Sequence, residues 1–250
     1  MESEKIIQII VVLYSREIEA KPFIEAINAK KIVDVLNPRL PMIHHKGSIQ
    51  DTVVHVVIFG KDKDFGVDII GKLGASMACQ EVINKLKPDL IINAGTASAF
   101  EFPDAKINDV YLGVENFYII DRRTSMAGYS EYITGKVPCL KATKFQKDLD
   151  IGGAIIASTD SMDLVEEDLK MARNQKAQLL DMEAATIAWV ARQFEVPVLV
   201  LKGVSHHVHG STKQQIIEFR QHLLEVSSVL ASKVLDVVEY VNGKTVRQLE

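Results

Sequence analysis

The sequence lacks the features that mark secreted, membrane-spanning and nucleic-acid-binding proteins. It has only two cysteines in 250 residues, and Cys79 and Cys139 lie in unrelated contexts, which predicts reduced thiols in a cytoplasmic protein. The apolar run at residues 6–14 is too short to cross a bilayer and is followed by charged residues, so we expect neither a signal peptide nor a membrane partner. The net charge is −4 with no basic stripe, which excludes nucleic acid as a partner.

Length and patterning favour one α/β domain over residues 1–250. The chain is 47% hydrophobic, enough for a sizeable core, and it contains no repeat, low-complexity segment or linker. Short branched-aliphatic runs alternate with longer amphipathic runs, as a sheet flanked by helices requires. We therefore predict a largely parallel or mixed sheet.

The predicted elements follow from this alternation. Residues 64–86 carry apolar side chains on one face and end before Pro88, which predicts one long helix. Residues 44–50 and 52–59 predict an antiparallel pair, turned by polar residues. The remaining predicted strands are 6–13, 90–93, 110–114, 154–158 and 198–204, and the remaining predicted helices are 18–29 and 213–240.

The segment from Leu180 to Gly210 is the most informative stretch. Residues 177–180 are short and apolar, and helical spacing of apolar residues follows, so Glu183 is predicted in the first turn of a helix. An acid there benefits from the helix dipole, whatever its function. It is also well placed to meet a ligand, because sites in α/β proteins lie at the carboxyl edge of the sheet.

Three strand ends carry small and polar residues: IINAGTASAF from Ile91, LLDMEAATIA from Leu179 and VLVLKGVSH from Val198. Together with EAKPFI, GKDKDFGVD and DRR elsewhere, they resemble the nucleoside phosphorylase and nucleosidase family, particularly the plant-type 5′-methylthioadenosine nucleosidases. The resemblance covers nearly the whole chain. Its most specific element is the Asp-Met-Glu-Ala stretch followed by Lys-Gly-Val-Ser at residues 202–205.

The resemblance implies a three-layer α/β sandwich with a mixed central β-sheet and an enzyme that breaks the bond between a ribose and a purine. That reaction leaves positive charge on the sugar and negative charge on the base, so it needs a carboxylate near the ribose and a proton donor near the purine. By resemblance, Glu183 binds the ribose hydroxyls, Glu19 orients or deprotonates the attacking water, and His206 stands at the proton-donor position. No cofactor and no metal is implied.

The resemblance also implies further substrate contacts and a homodimer. Thr96 would face the water or the ribose, and Ile216 matches an apolar side chain that completes the 5′ pocket of a partner subunit. The remaining expected contacts are Arg16, Ser158, Met182, Lys202 and Ser205.

Asn93 bears on the choice of nucleophile. By resemblance, phosphorylases carry an arginine at this position, because phosphate needs a bidentate cation. With asparagine there, water is the expected nucleophile.

Three departures from the family pattern lie at the predicted site. His206 replaces an aspartate that passes a proton to purine nitrogen 7, and a cationic imidazole could do so only at mildly acidic pH. Ser98 and Ala99 replace paired glycines and add bulk where the backbone approaches the ligand. Arg16 replaces an apolar residue.

Two function classes follow. Glu19 and Glu183 favour a purine nucleoside hydrolase, in which Arg16 could pair with an anionic 5′ group. His206, with Ser98 and Ala99, favours a catalytically impaired relative that binds or stores a purine or nucleoside. The sequence leaves the base and the 5′ substituent open.

Overall fold

The computed structural model describes residues 5–209 and 211–250. The strands are β1 Ile9–Tyr14, β2 Lys30–Ile32, β3 Ile43–Ile49, β4 Thr52–Ile58, β5 Leu90–Ala99, β6 Val110–Ile119, β7 Val137–Pro138, β8 Gly152–Ser158, β9 Leu179–Asp181 and β10 Val198–His207. The helices are α1 Glu17–Ala26, α2 Gly71–Leu86, α3 Ser130–Ile133, α4 Thr143–Leu149, α5 Glu166–Asn174, α6 Ala184–Gln193 and α7 Thr212–Val241. A short 3₁₀ helix, Val246–Leu249, follows.

The strands form one mixed ten-stranded sheet. Its strand order is β10-β6-β8-β9-β5-β1-β4-β3-β2, with β7 paired to β6. Strand β10 also pairs with β5, so the five strands β5, β10, β6, β8 and β9 close into a ring. The predicted mixed α/β fold is confirmed, and the ring is a feature that the sequence did not indicate.

Strand β1 explains why helices cover both faces of the sheet. It is a run of buried branched-aliphatic residues, as expected for a parallel strand covered on each side. Val11 and Leu13 join the core beneath α2 and α6, whereas Ile10 and Val12 join the core beneath α1 and α7. Successive side chains of a strand point to opposite faces, so these two cores are the layers on either side of the sheet.

The predicted helix over residues 64–86 begins later, at Gly71. The Asp62 carboxylate accepts backbone hydrogen bonds from Asp64 and Phe65, each at 2.9 Å, and this turn competes with the first helical turn. Gly71 has a φ of +80°, a conformation that L-residues rarely adopt. The apolar periodicity of residues 64–70 therefore belongs to a loop that leads to the helix.

Strands β1, β5 and β10 run parallel, and their carboxyl ends reach one edge of the ring. Strand β9 runs antiparallel to β5 and pairs Leu180 with Ser98, which brings the β9–α6 turn to the same edge. Among the described residues, no helix is both long and apolar enough to cross a membrane.

Candidate active site

A pocket opens at this edge of the ring, between the ends of β1, β5, β9 and β10 and the first turns of α7. It brings together eight of the predicted site residues: Arg16, Glu19, Thr96, Met182, Glu183, Ser205, His206 and Ile216. Two predicted contacts, Ser158 and Lys202, do not line it.

Glu19 lies in the first turn of α1 and is only 2% exposed. One carboxylate oxygen, Oε1, accepts from the Thr96 hydroxyl at 2.6 Å and from the Thr96 N–H at 3.1 Å. The other, Oε2, accepts from the Ser15 hydroxyl at 3.3 Å. Three donors therefore hold the carboxylate in one orientation, and the Thr96 hydroxyl is engaged with Glu19 in this structure.

Glu183 is the N-cap residue of α6, one position before the helical turn that the sequence predicted. Its Oε1 accepts from the Gly71 N–H at 3.0 Å, across the pocket from α2. Burial raises the pKa of Glu183 above its usual range, and the nearby Lys202 cation partly opposes this effect. A raised pKa means that Glu183 loses its charge at a higher pH than an exposed glutamate.

Lys202 is a support for the site, which corrects its predicted role in substrate binding. Its side chain is 1% exposed, and its ammonium lies 2.8 Å from Asp181 Oδ2 and 3.9 Å from Glu183 Oε2. Burial alone would lower the pKa of Lys202, but the two carboxylates raise it. The side chain therefore stays cationic beneath the pocket.

Ser158 likewise lies outside the pocket lining and supports it from beneath. Its hydroxyl donates to Asp181 Oδ1 at 2.5 Å and accepts from the Ala185 N–H at 2.9 Å. Asp181 Oδ2 also accepts from the Ala184 N–H at 2.8 Å. Asp181, which we did not single out from the sequence, thus joins β8, β9, β10 and α6. The signal was its position at a strand end, two residues before Glu183.

His206 reaches the pocket at an irregularity in β10, where the pairing with β5 shifts register between Val204 and His206. Such bulges change the direction of a side chain. Its Nδ1 lies 3.0 Å from the Ser205 hydroxyl oxygen, and that hydroxyl donates to the Ala97 carbonyl at 3.2 Å. In this arrangement Nδ1–H donates to Ser205, and Nε2 carries a lone pair when the ring is neutral.

Burial lowers the pKa of His206 to about 4, although Glu218 opposes the shift. At mildly acidic pH only a minor fraction of this imidazole is therefore cationic. The physical reason is the loss of solvent around the ring, whose edge-to-face neighbour Phe219 lies 5.9 Å away between centroids.

Ile216 lines the pocket of its own chain. The contact of this side chain with the 5′ pocket of a partner subunit stays a prediction. Arg16 lies at the same end of the pocket, with its guanidinium carbon 5.1 Å from the centroid of the Phe219 ring. Phe219 is a pocket residue that the sequence analysis missed, because it reads as one of the core residues of the α7 stripe.

Two other predicted positions differ from expectation. Asn93 is buried, does not line the pocket and donates to the Leu13 carbonyl at 3.4 Å. Ser98 lines the pocket and donates to the Leu180 carbonyl at 3.3 Å, whereas Ala99 does not line it. The Ser98 hydroxyl is thus directed towards the backbone of β9.

A charged cluster beside the pocket fixes the start of α2. The Asp160 carboxylate accepts from the Lys72 N–H at 2.6 Å, and the Lys72 ammonium lies 2.5 Å from Asp121 and 3.4 Å from Asp160. Gly71 has a φ of +80°, and a Cβ there would lie 2.5 Å from the Asp160 carboxylate, so any other residue would be strained and would displace Asp160. This cluster holds the Gly71 N–H against Glu183. Within the described chain, no group of three or more His, Cys, Asp or Glu could hold a metal ion.

Comparison with known proteins shows the family to which the chain belongs. The family model described as the Phosphorylase superfamily matches residues 10–239. The chain belongs to the Phosphorylase superfamily.

Relatives of this superfamily member include named nucleosidases. It is 31% identical over 241 residues to a 5′-methylthioadenosine nucleosidase of Arabidopsis thaliana, spanning 96% of this chain and 90% of the relative. A 5′-methylthioadenosine/S-adenosylhomocysteine nucleosidase of the same plant is 32% identical over 247 residues, spanning 97% and 95%. The solved apo structure of the Arabidopsis 5′-methylthioadenosine nucleosidase superposes with a TM-score of 0.93 at 30% identity, spanning 97% of this chain and 99% of that one.

The buried ion group predicts a large effect of removing Lys202 from this superfamily member. Lys202→Met leaves the Asp181 and Glu183 carboxylates buried without their cation, so we expect a loss of about 3–5 kcal/mol in the free energy of unfolding at neutral pH. Urea denaturation measures it. The loss should shrink when Asp181→Asn is added to Lys202→Met. A loss that is the same in both backgrounds would contradict the pairing.

Proposed function

We propose that the chain hydrolyses the N-glycosidic bond of a purine nucleoside of the 5′-methylthioadenosine or S-adenosylhomocysteine type and releases the free base. The observation that carries this proposal is the pair of buried carboxylates, Glu19 and Glu183, in one pocket at the sheet edge. The names of the Arabidopsis relatives, which match almost their full length, support the same substrate class.

Glu183 serves the sugar. As the base departs, positive charge develops on the ribose, and a fixed carboxylate in a water-poor pocket stabilises that charge strongly. The Gly71 N–H and Lys202 hold Glu183 in place. Glu183 acts through its negative charge, so it must be deprotonated. Because its pKa is raised, this charge is lost, and catalysis weakens, at a higher pH than for an exposed glutamate.

Glu19 serves the water. Its carboxylate is already oriented by Thr96 and Ser15, which favours a fixed water position beside it. Arg16 is the one arginine or lysine among the described pocket residues. A phosphate ion would therefore meet two carboxylates with a single cation, and water, which is neutral, is the favoured nucleophile.

His206 serves the base. Base departure needs a proton, and His206 can give one from Nε2 only while the ring is cationic. The ring is cationic below about pH 4, whereas Glu183 is ionised only above its raised pKa. The form with both groups in the required state is therefore a minor population, most abundant between the two pKa values.

We also propose a homodimer. Leu73 is 86% exposed, and Met126 and Met162 are 61% and 55% exposed. Lys72 ties the helix turn that carries Leu73 to the loops that carry these methionines. A second copy would cover these exposed apolar side chains and the rim of the pocket, since Met162 also lines the pocket.

Two further proposals concern the location of the protein and its domain organisation. We propose a cytoplasmic location, because Cys79 and Cys139 are both free. We propose that residues 1–250 form a single domain, because the strands of the described chain belong to one continuous sheet.

The reaction itself is tested by a release assay over a panel of purine nucleosides, with and without phosphate. We expect 5′-methylthioadenosine or S-adenosylhomocysteine to yield free base and free sugar at a rate that phosphate does not change. A sugar 1-phosphate as the main product would overturn the choice of water. Failure to release base from any nucleoside would overturn the proposed reaction.

The two carboxylates are tested by single substitutions. Glu183→Gln keeps the shape but removes the charge, so turnover should fall by about 10²–10⁴-fold. Glu19→Gln should abolish water activation while free base still binds. Glu25→Gln, on the exposed face of the same helix as Glu19, is the matched control and should turn over like the wild type. Wild-type rates in both pocket variants would rule out these roles.

The role of His206 is tested by the pH profile of kcat/KM for 5′-methylthioadenosine. We expect a low, bell-shaped wild-type profile with its maximum between about pH 4 and the raised pKa of Glu183. His206→Asp should raise kcat/KM near neutral pH by about 10²-fold or more, the usual value of a positioned acid. His206→Asn introduces a side chain of the same size as aspartate but without an acidic proton, so it should not raise kcat/KM. An equal gain in both variants would mean that bulk limits the site and not proton transfer.

The dimer is tested by size-exclusion chromatography with light scattering, which measures the molar mass of the eluting protein. The wild type should run as a dimer and Leu73→Asp as a monomer, because a charge cannot be buried unpaired in an apolar interface. Leu224→Asp on α7, a site with 67% exposure, is the control and should remain dimeric. A monomeric wild type at micromolar concentration would contradict the proposal.

A further inference from the structure

The side chain of Arg16 has hydrogen-bonding capacity that the described protein does not use. Its Nε is buried without a hydrogen-bond partner among the described residues. The carboxylate paired with it, that of Asp68, lies 3.6 Å from Nε, beyond a normal hydrogen bond, and is itself partly exposed. A buried donor without a partner is costly, so an acceptor in the pocket would stabilise this arrangement.

Phe219 orients the guanidinium without using its N–H groups. The Arg16 Cζ lies 5.1 Å from the ring centroid, which is within the range of a cation–π contact. His206 packs edge-on against the same ring. Arg16, Phe219 and His206 thus form one wall of the pocket, and the guanidinium Nε has no hydrogen-bond partner among the described residues.

The charge of Arg16 is unfavourable for the sugar chemistry on its own. A cation close to a ribose that becomes positive in the transition state would oppose catalysis unless an anion offsets it. Asp68 offsets it only in part, since both side chains are 27% exposed and are screened by water. A second anion, supplied by the ligand, would remove the penalty.

The position of Arg16 indicates which part of the ligand carries that anion. In the proposed reaction, Glu19 and Glu183 serve the sugar and His206 serves the base. Arg16 is the N-cap residue of α1 and lies beside Ile216 and Phe219 of α7 in the pocket wall. This α1–α7 end of the pocket is left for the 5′ substituent.

We propose that Arg16 binds a carboxylate carried by the 5′ substituent of the nucleoside, and so selects acidic 5′-thioether nucleosides over neutral ones. The inference rests on the proposed function for its placement of the ribose. A guanidinium pairs with a carboxylate through two parallel hydrogen bonds, which a neutral alkylthio group cannot form. Free phosphate offers the same chemistry, so each measurement is made with and without phosphate to separate the two anions.

The experiment compares an acidic ligand, 5′-deoxy-5′-(carboxyethylthio)adenosine, with its uncharged methyl ester. Both kcat/KM and the calorimetric Kd are measured, with and without phosphate. We expect the wild type to prefer the acid, and Arg16→Met to reduce the acid-to-ester ratio by about 10–100-fold, the value of a charge-assisted hydrogen bond. Arg16→Lys should restore part of the ratio. Asp68→Asn, which removes the competing carboxylate, should increase it.

Three outcomes would overturn the inference. The first is a wild-type acid-to-ester ratio near one, and the second is an equal loss on both ligands in Arg16→Met. The third is a ratio that collapses in phosphate together with the formation of sugar 1-phosphate, which would assign Arg16 to phosphate. If neither ligand is cleaved, the proposed reaction fails, but the Kd ratio still decides the role of Arg16.

Discussion

The ammonium of Lys202, enclosed with the carboxylates of Asp181 and Glu183, is the contact on which the site depends. A buried ion pair gains little stability overall, because desolvation of the charges offsets their attraction. Its value here is positional. Lys202 lies on β10, Asp181 ends β9, and Glu183 begins α6, so one cation fixes three elements at the pocket floor. Ser158 extends the group to β8, and the Gly71 N–H extends it to α2.

Burial also shifts the pKa values of the two catalytic candidates, Glu183 and His206, in opposite directions. Low solvent access raises the pKa of the Glu183 carboxyl and lowers the pKa of the His206 imidazole. An aspartate at position 206 would respond to burial in the opposite way, because its proton-bearing form is neutral and burial favours it. The histidine therefore reverses the effect of burial on the protonation of the proposed proton donor.

The sequence predicted much of the fold, because branched-aliphatic strands and amphipathic helices alternate with clear periods. It predicted the wrong start of α2, since a local turn at Asp62 overrides the periodicity of residues 64–70. It also treated Lys202 and Ser158 as ligand contacts. Position at a strand end does not determine whether a side chain points into the pocket or beneath it.

The resemblance predicted most of the pocket residues that we singled out. Their pKa values and free hydrogen-bond donors could not be predicted from the sequence. The register shift between Val204 and His206 decides how His206 is presented, and its burial against Phe219 decides its pKa. The free donor of Arg16 depends on the distance to Asp68, a residue far along the chain. Such facts arise from packing between distant segments.

The central claim is that burial raises the pKa of Glu183 and that the neighbouring charges of Lys202 and Asp181 adjust it in opposite directions. The most direct test is the titration of the Glu183 side-chain carboxyl carbon, followed by NMR in the wild type and in Asp181→Asn. We expect a wild-type pKa above the usual glutamate range and a lower pKa in the variant. The pKa falls in the variant because the Asp181 charge that raises it is removed, while the Lys202 cation that lowers it remains. An ordinary glutamate pKa in the wild type, or an identical titration in both proteins, would contradict it.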